Sequence, residues 1–169
     1  METTAKLYSL TFKSLKTYIF ALFLIVGNIL FPQICHLTPY GGPTLLPIYF
    51  FTLIAGYKYG LRVGLLTALL SPIANNLLFG MPPTSILPLI LIKSGLLAVT
   101  SALAAHYSKK ISLGAIFFAV IGYQLIGTAI EWGILGNFYD AIQDFRIGVP
   151  GMLIQIFGGY TLLKAIAKI

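Results

Sequence analysis

The chain has 169 residues, 58% of them hydrophobic and only 9% charged, with a formal net charge of +7. Soluble domains average about 45–50% apolar and about 25% charged, so this composition excludes an ordinary water-soluble globule and predicts an integral membrane protein. The positive balance does not imply nucleic acid, because the basic residues sit in short loops and at the two ends; the one cysteine, Cys35, excludes an internal disulfide and reads as a small apolar filler.

Six apolar segments follow one another. The first covers about 17–34. Its basic flank and apolar core resemble a signal peptide, but "PQICHLTPYGG" follows Phe31 without a small-x-small cleavage site, so it is expected to be a retained anchor. The second, about 44–57, starts near Pro43 and Pro47, where proline is tolerated in a helix. It is short for a span, since crossing takes about 20 residues, and is expected to be tilted or partly re-entrant. The third covers about 61–79, the fourth 85–105, the fifth 111–130 and the sixth 148–167. No hydrophilic stretch is long enough for a second domain, so residues 1–169 read as one all-α six-helix transmembrane bundle.

Charge sets the expected orientation. With six spans and a cytoplasmic N-terminus, Lys6, Lys13, Lys16, Lys58, Arg62, Lys109, Lys110, Lys164 and Lys168 fall on the cytoplasmic side, and only Arg146 lies in an outer loop. That segregation obeys the positive-inside rule and would be scrambled by a miscount of one span. Both termini are then cytoplasmic. Gly56, Gly60 and Gly64 flank the basic turn "GYKYGLRVG", which favours tight turn geometry with close packing on either side.

The polar residues inside the spans gather in the outer half. Lys93, in "LPLILIKSGLLAV", lies about eight residues from the outer end of its span, roughly 12 Å deep at 1.5 Å per residue. Gln155 lies at similar depth, Gln124 and Glu131 share one helix face seven positions apart, and Asn75 and Asn76 sit near the outer end of the third segment, with Asn28 and Gln33 in the first. An ionisable group in lipid costs at least about 2.5–3.5 kcal/mol, so Lys93 should meet a wet cavity, a ligand or a partner such as Glu131. The competing accounts are snorkelling, for which the distance is too great for a four-carbon stem, and a purely structural ion pair. For the amides the competing account is interhelical hydrogen bonding. The outer loop "EWGILGNFYDAIQDFRIG" adds Trp132, Tyr139, Asp144 and Arg146, whose aromatic members serve either as belt anchors or as a lid over a flat ligand. His36 is a lone histidine in another outer loop. The layout predicts a pocket that opens outward and is closed below.

Enzymatic motifs are missing. The sequence has no phosphate-binding G-x-x-x-x-G-K-[ST], no H-E-x-x-H, no G-x-S-x-G and no Cys/His cluster with metal spacing, so neither catalysis nor a cofactor is expected. Lys93 and Ser94 are adjacent, so on a helix they point about 100° apart, poorly placed for a dyad.

The stretch "LPIYFFTLIAGYKYGLRVGLLTALLSPIANNLLFGMPPTSILPLIL", with its proline-started span, glycine-flanked basic turn and outer "GMPP", resembles the substrate-binding (S) component of energy-coupling factor (ECF) transporters, as does the hydropathy layout of about 150 residues. The resemblance implies a bacterial plasma-membrane subunit that captures a vitamin-like small molecule from outside and hands it to a membrane coupling protein and two ATPases. It places the binding site at Lys93, Gln124, Glu131, Trp132 and Gln155. The family's alanine-xxx-alanine docking pattern on the first span has Thr17 and Ala21 as its nearest counterpart here, a departure from the pattern. The alternative is a structural scaffold of the rod-shape-determining type, which has a similar multi-span layout and needs no polar cluster in the outer half. A channel would need polar residues through the cytoplasmic half as well, and they are not there.

Overall fold

Among the described residues four helices are long and apolar enough to cross a membrane: α1 (Leu15–Cys35), α4 (Leu61–Phe79), α5 (Leu87–Ser108) and α6 (Leu113–Leu135). The computed structural model describes residues 7–168, so the expectation for Lys6 lies outside the described residues. Among the described residues there is no strand. Between α1 and α4 come α2 (Gly41–Leu45), a 3-10 turn (Pro47–Tyr49), α3 (Phe50–Ile54) and a π turn (Ala55–Tyr59). After α6 follow α7 (Phe138–Ala141), α8 (Gln143–Ile147), α9 (Val149–Leu153), a second π turn (Ile154–Gly158) and α10 (Gly159–Ala165).

The third segment matches its expected ends. The second is interrupted. Pro47 has no N–H to continue α2, and Leu46 before it adopts a left-handed backbone (φ 47°, ψ 43°), which breaks the chain into a short α2 and a separate helical run from 47 to 59. The fifth segment runs five residues further than expected, so Glu131 and Trp132 are inside α6 rather than in a loop. The helix stops where Gly136 takes a positive φ of 67° and its N–H bonds the Trp132 carbonyl. The outer connection is not irregular either, because α7 and α8 fill it.

Burial differs from that of a soluble protein: beside an apolar core that includes Leu53, Ile54 and Leu97, polar side chains are buried and many large apolar ones are exposed. Asn28, Thr52, Thr67, Ser71, Gln124 and Gln155 are wholly buried, while Leu22, Phe23, Leu77 and Phe118 are mostly exposed. Helices that turn apolar side chains outward and pair polar ones inside suit a hydrocarbon solvent. One such pairing repairs a proline. Pro32 inside α1 cannot donate to the Asn28 carbonyl one turn back, and Asn75 Nδ2 of α4 donates to that carbonyl at 2.9 Å instead. Asn28 itself joins three elements: its Nδ2 donates to Thr52 Oγ1 and Ser71 Oγ, both at 3.1 Å, and its Oδ1 accepts the Phe51 N–H.

At the opposite end of the bundle the chain closes on itself. A Cβ on Gly64 would sit 2.9 Å from the Gly56 Cα, so these glycines are where the first π turn and α4 touch, as the sequence favoured. Residues 8–10 lie across Gly60, with Tyr8 N–H bonded to the Lys58 carbonyl. Lys58 does not sit in an open basic turn, as expected from the charge pattern: it is fully buried, and its Nζ donates to the Ala167 carbonyl at 3.1 Å. Thr17 and Ala21 are likewise buried, and Thr17 Oγ1 donates to the Thr11 carbonyl, so this small-residue pair is used for packing within the chain and is not a free docking surface.

Candidate functional site

A cavity of about 420 Å³ lies at the end of the bundle where α1, the 36–46 connection, the 80–86 turn and α8 converge. That size is within the roughly 300–1,000 Å³ of small-molecule sites. Most of its wall is apolar, formed by prolines from α1 and two connections and by apolar side chains such as Met81, Ile86 and Leu89. Proline-rich loops have few conformations to lose, so this wall is stiff.

The polar part of the wall is an ion triad. Lys93, from the middle of α5, is buried; its Nζ donates to Asp144 Oδ2 of α8 at 2.9 Å and pairs with Glu131 Oε2 of α6. The stem of Lys93 crosses α6 at Gly127, where a Cβ would come 2.8 Å from Lys93 Cγ, so only glycine leaves the path open. The lysine therefore does not reach toward lipid; it spans two helices along the inside of the bundle. Glu131 was the expected partner, and Asp144 joins it because α8 folds back over the cavity.

Below the triad, Tyr49 forms part of the floor and its ring packs 5.6 Å from that of Tyr123. Tyr123 is the hinge of a buried chain of hydrogen bonds. Gln124 Nε2 donates to the Tyr123 hydroxyl at 3.0 Å, and that hydroxyl donates to Gln155 Oε1 at 3.0 Å. Gln155 is in the second π turn, whose wider backbone rotates it toward α6. Gln124 Oε1 and Gln155 Nε2, an acceptor and a donor, are buried with no protein hydrogen bond. Such atoms are costly unless something meets them.

The ten candidate binding residues thus divide into groups. Asn75, Lys93, Glu131 and Asp144 line the cavity. Gln124 and Gln155 lie behind its floor, in the tyrosine network. Asn76 is turned aside, its Nδ2 donating to the Pro82 carbonyl at 2.8 Å and so fixing the 80–86 turn. Trp132 is half exposed and packs edge-on against Phe138 at 5.2 Å, away from the cavity. Tyr139 and Arg146 pair with one another on the exposed loop, the guanidinium over the phenol ring. None of these three side chains lines the cavity. Sequence reasoning missed Tyr49 and Tyr123, which in an apolar run look like any other membrane aromatic; the one signal was the proximity of Tyr49 to Pro47 and of Tyr123 to Gln124. His36 also lines the cavity mouth. Among the described residues no group of three His, Cys, Asp or Glu side chains is placed to hold a metal ion.

No family model, characterised protein or solved structure matches the chain.

Proposed function

We propose that this protein is the membrane-embedded capture subunit of an importer of the ECF type, taking up a vitamin-like small molecule through the cavity above Tyr49. In this reading all six helical segments cross the plasma membrane of a prokaryotic cell, with both termini in the cytoplasm and the cavity facing outward. The single observation that carries the reading is the Lys93–Glu131–Asp144 triad, Lys93 and Asp144 buried and Glu131 part-buried, on the wall of a mostly apolar cavity. Three ionised groups so far inside an apolar bundle are expensive, and intramembrane charge that faces a cavity marks a pathway for a solute. A scaffold has no use for that expense.

The mechanism follows from which elements the triad joins. Asp144 is on the connection between the last two long helical segments, while Lys93 and Glu131 are on α5 and α6. A guest that touches these groups changes the contacts of α8 and thus favours one position of that connection over another, which is the differential affinity any ligand-driven change requires. Nothing in the chain supplies a nucleotide site, so the energy for release inward would come from a coupling protein and two ATPases, as the resemblance implies. Thr17 and Ala21 being buried, docking to that partner would use other residues.

Native mass spectrometry of the gently purified protein tests this. The expected result is one stoichiometric small molecule per chain, absent from a Lys93→Ala/Glu131→Ala variant that still elutes as a folded species. An empty protein that retains only cell-shape proteins would replace the proposal with the scaffold.

A further inference from the structure

We infer that the molecule this cavity accepts carries a single cationic group of the amidinium or protonated-amine class on an apolar body, and that Glu131 and Asp144 recognise it. The inference rests on reading the cavity as a capture site and adds the charge of what enters.

The argument is a count of charges and of hydrogen-bonding atoms. The cavity wall has three ionised side chains, one ammonium and two carboxylates, which sum to −1. Among the described residues no other acid, lysine or arginine lines the wall, and the one further titratable side chain there, His36, counts as neutral in this sum. Arg146, the remaining cation of this region, is held on the exposed surface by the Tyr139 ring and carbonyl, and Asp140 is bonded to Asn137. The chain as a whole is +7 and has four acids, yet three of them fall between positions 131 and 144. A general field of that sign attracts anions; the cavity reverses it locally.

Vacant hydrogen-bonding capacity points the same way. Lys93 donates to Asp144 Oδ2 and forms an ion pair with Glu131 Oε2, an oxygen that is buried without a hydrogen bond of its own. Each carboxylate keeps a second oxygen, Oδ1 and Oε1, with no hydrogen bond to the described residues. A carboxylate has about four lone-pair sites, so two carboxylates on one cavity wall that share one lysine keep acceptor capacity for a forked or multiply protonated nitrogen cation. An anionic guest would have to draw Lys93 away from two carboxylates while facing both. The rest of the wall, prolines and aliphatic side chains, asks for an apolar body.

The test uses the full chain in lipid nanodiscs and three probes that share one ring and nearly one shape: 2-naphthamidine, 2-naphthamide and 2-naphthoate. Their affinities are measured by calorimetry against empty nanodiscs. The expected order is amidine, then amide, then carboxylate, with about ten-fold or more between the ends. Glu131→Gln and Asp144→Asn should each weaken the amidine by about ten-fold, and Lys93→Met should leave its binding equal or tighter. Equal affinities, or naphthoate binding tightest and lost in Lys93→Met, would overturn the inference and leave the capture site standing. Saturable binding of none of the three would remove the capture site as well. The comparison of probes on the unaltered protein decides the question even if a variant does not fold.

Discussion

Lys93 and Asp144, 51 positions apart, meet through a 2.9 Å hydrogen bond that ties the middle of α5 to the short helix α8. Glu131 of α6 completes the same contact. The stability of the cavity end therefore depends on a charge balance, and that balance is testable in pieces. Lys93→Met leaves two carboxylates facing each other without a cation, which should cost about 3–5 kcal/mol. Replacing all three as Lys93→Met/Glu131→Gln/Asp144→Asn removes the uncompensated charge and should cost less. Thermal unfolding in mild detergent reads the difference; a triple variant less stable than the single one would mean that the triad is not a coupled unit.

Gly127 is the gap through which the Lys93 stem passes. Gly127→Ala should destabilise by about 1–3 kcal/mol through overpacking and should weaken any ligand that contacts the triad. Gly133, on the same helix with open space around it, is the control. There alanine should be neutral or stabilising by up to about 1 kcal/mol, since glycine in a helix interior is unfavourable. Unfolding curves of the two variants moving together would show that the Lys93 path is not tight.

The Asn75 amide compensates for a donor that Pro32 lacks. Asn75→Ala should cost about 1–2 kcal/mol, in line with a buried carbonyl left unmet. In a Pro32→Ala background the helix has its own N–H for the Asn28 carbonyl, and the same change should cost distinctly less. A double-mutant cycle with no coupling would remove the compensation.

At the other end, Gly56 lies against α5. A Cβ there would stand 2.1 Å from Ser101 Oγ and 2.8 Å from the Ala98 carbonyl oxygen. Gly56→Ala should destabilise by about 1–3 kcal/mol. Ser101→Ala should recover only part of the loss, because the Ala98 oxygen belongs to backbone and cannot turn away. Full recovery, measured by chemical denaturation, would place the whole conflict on the serine.

Lys58 links the first π turn to the C-terminal residues through the Ala167 carbonyl. Lys58→Met should speed hydrogen exchange at 159–167 while leaving α6 protected. Uniform exchange across both would show that Lys58 supports the bundle as a whole and not the C-terminal segment in particular.

How much of this was legible in the order of the residues differs from site to site. The four long helices were, because an apolar run of bilayer length in a chain with 9% charge has few alternatives; the break at Leu46 and Pro47 inside the second segment was not. The partnership of Lys93 with Glu131 was partly legible, since a lone ammonium among leucines demands a counter-charge and the nearest acid in the next segment is at 131. The place of Asp144 was not. Asp144 was a candidate binding residue of the outer loop, but its pairing with Lys93 emerges only once α7 and α8 form. Trp132, Tyr139 and Arg146 fit a lid as sequence, but Trp132 packs on Phe138 and Arg146 on Tyr139, because rings and a guanidinium a few residues apart find each other before they find a cavity.

The sequence by itself determined the solvent and the segments: hydropathy is a local sum, and a run of apolar side chains selects lipid and helix together wherever the rest of the chain goes. It also required that the scattered polar side chains find company, since hydrocarbon offers them none. Which ones met was decided only by the tertiary structure. The interruption at Leu46 and Pro47, the glycine gap at 127 and the return of α8 each move a side chain by several ångströms, and the pairing of charges depends on distances of that order.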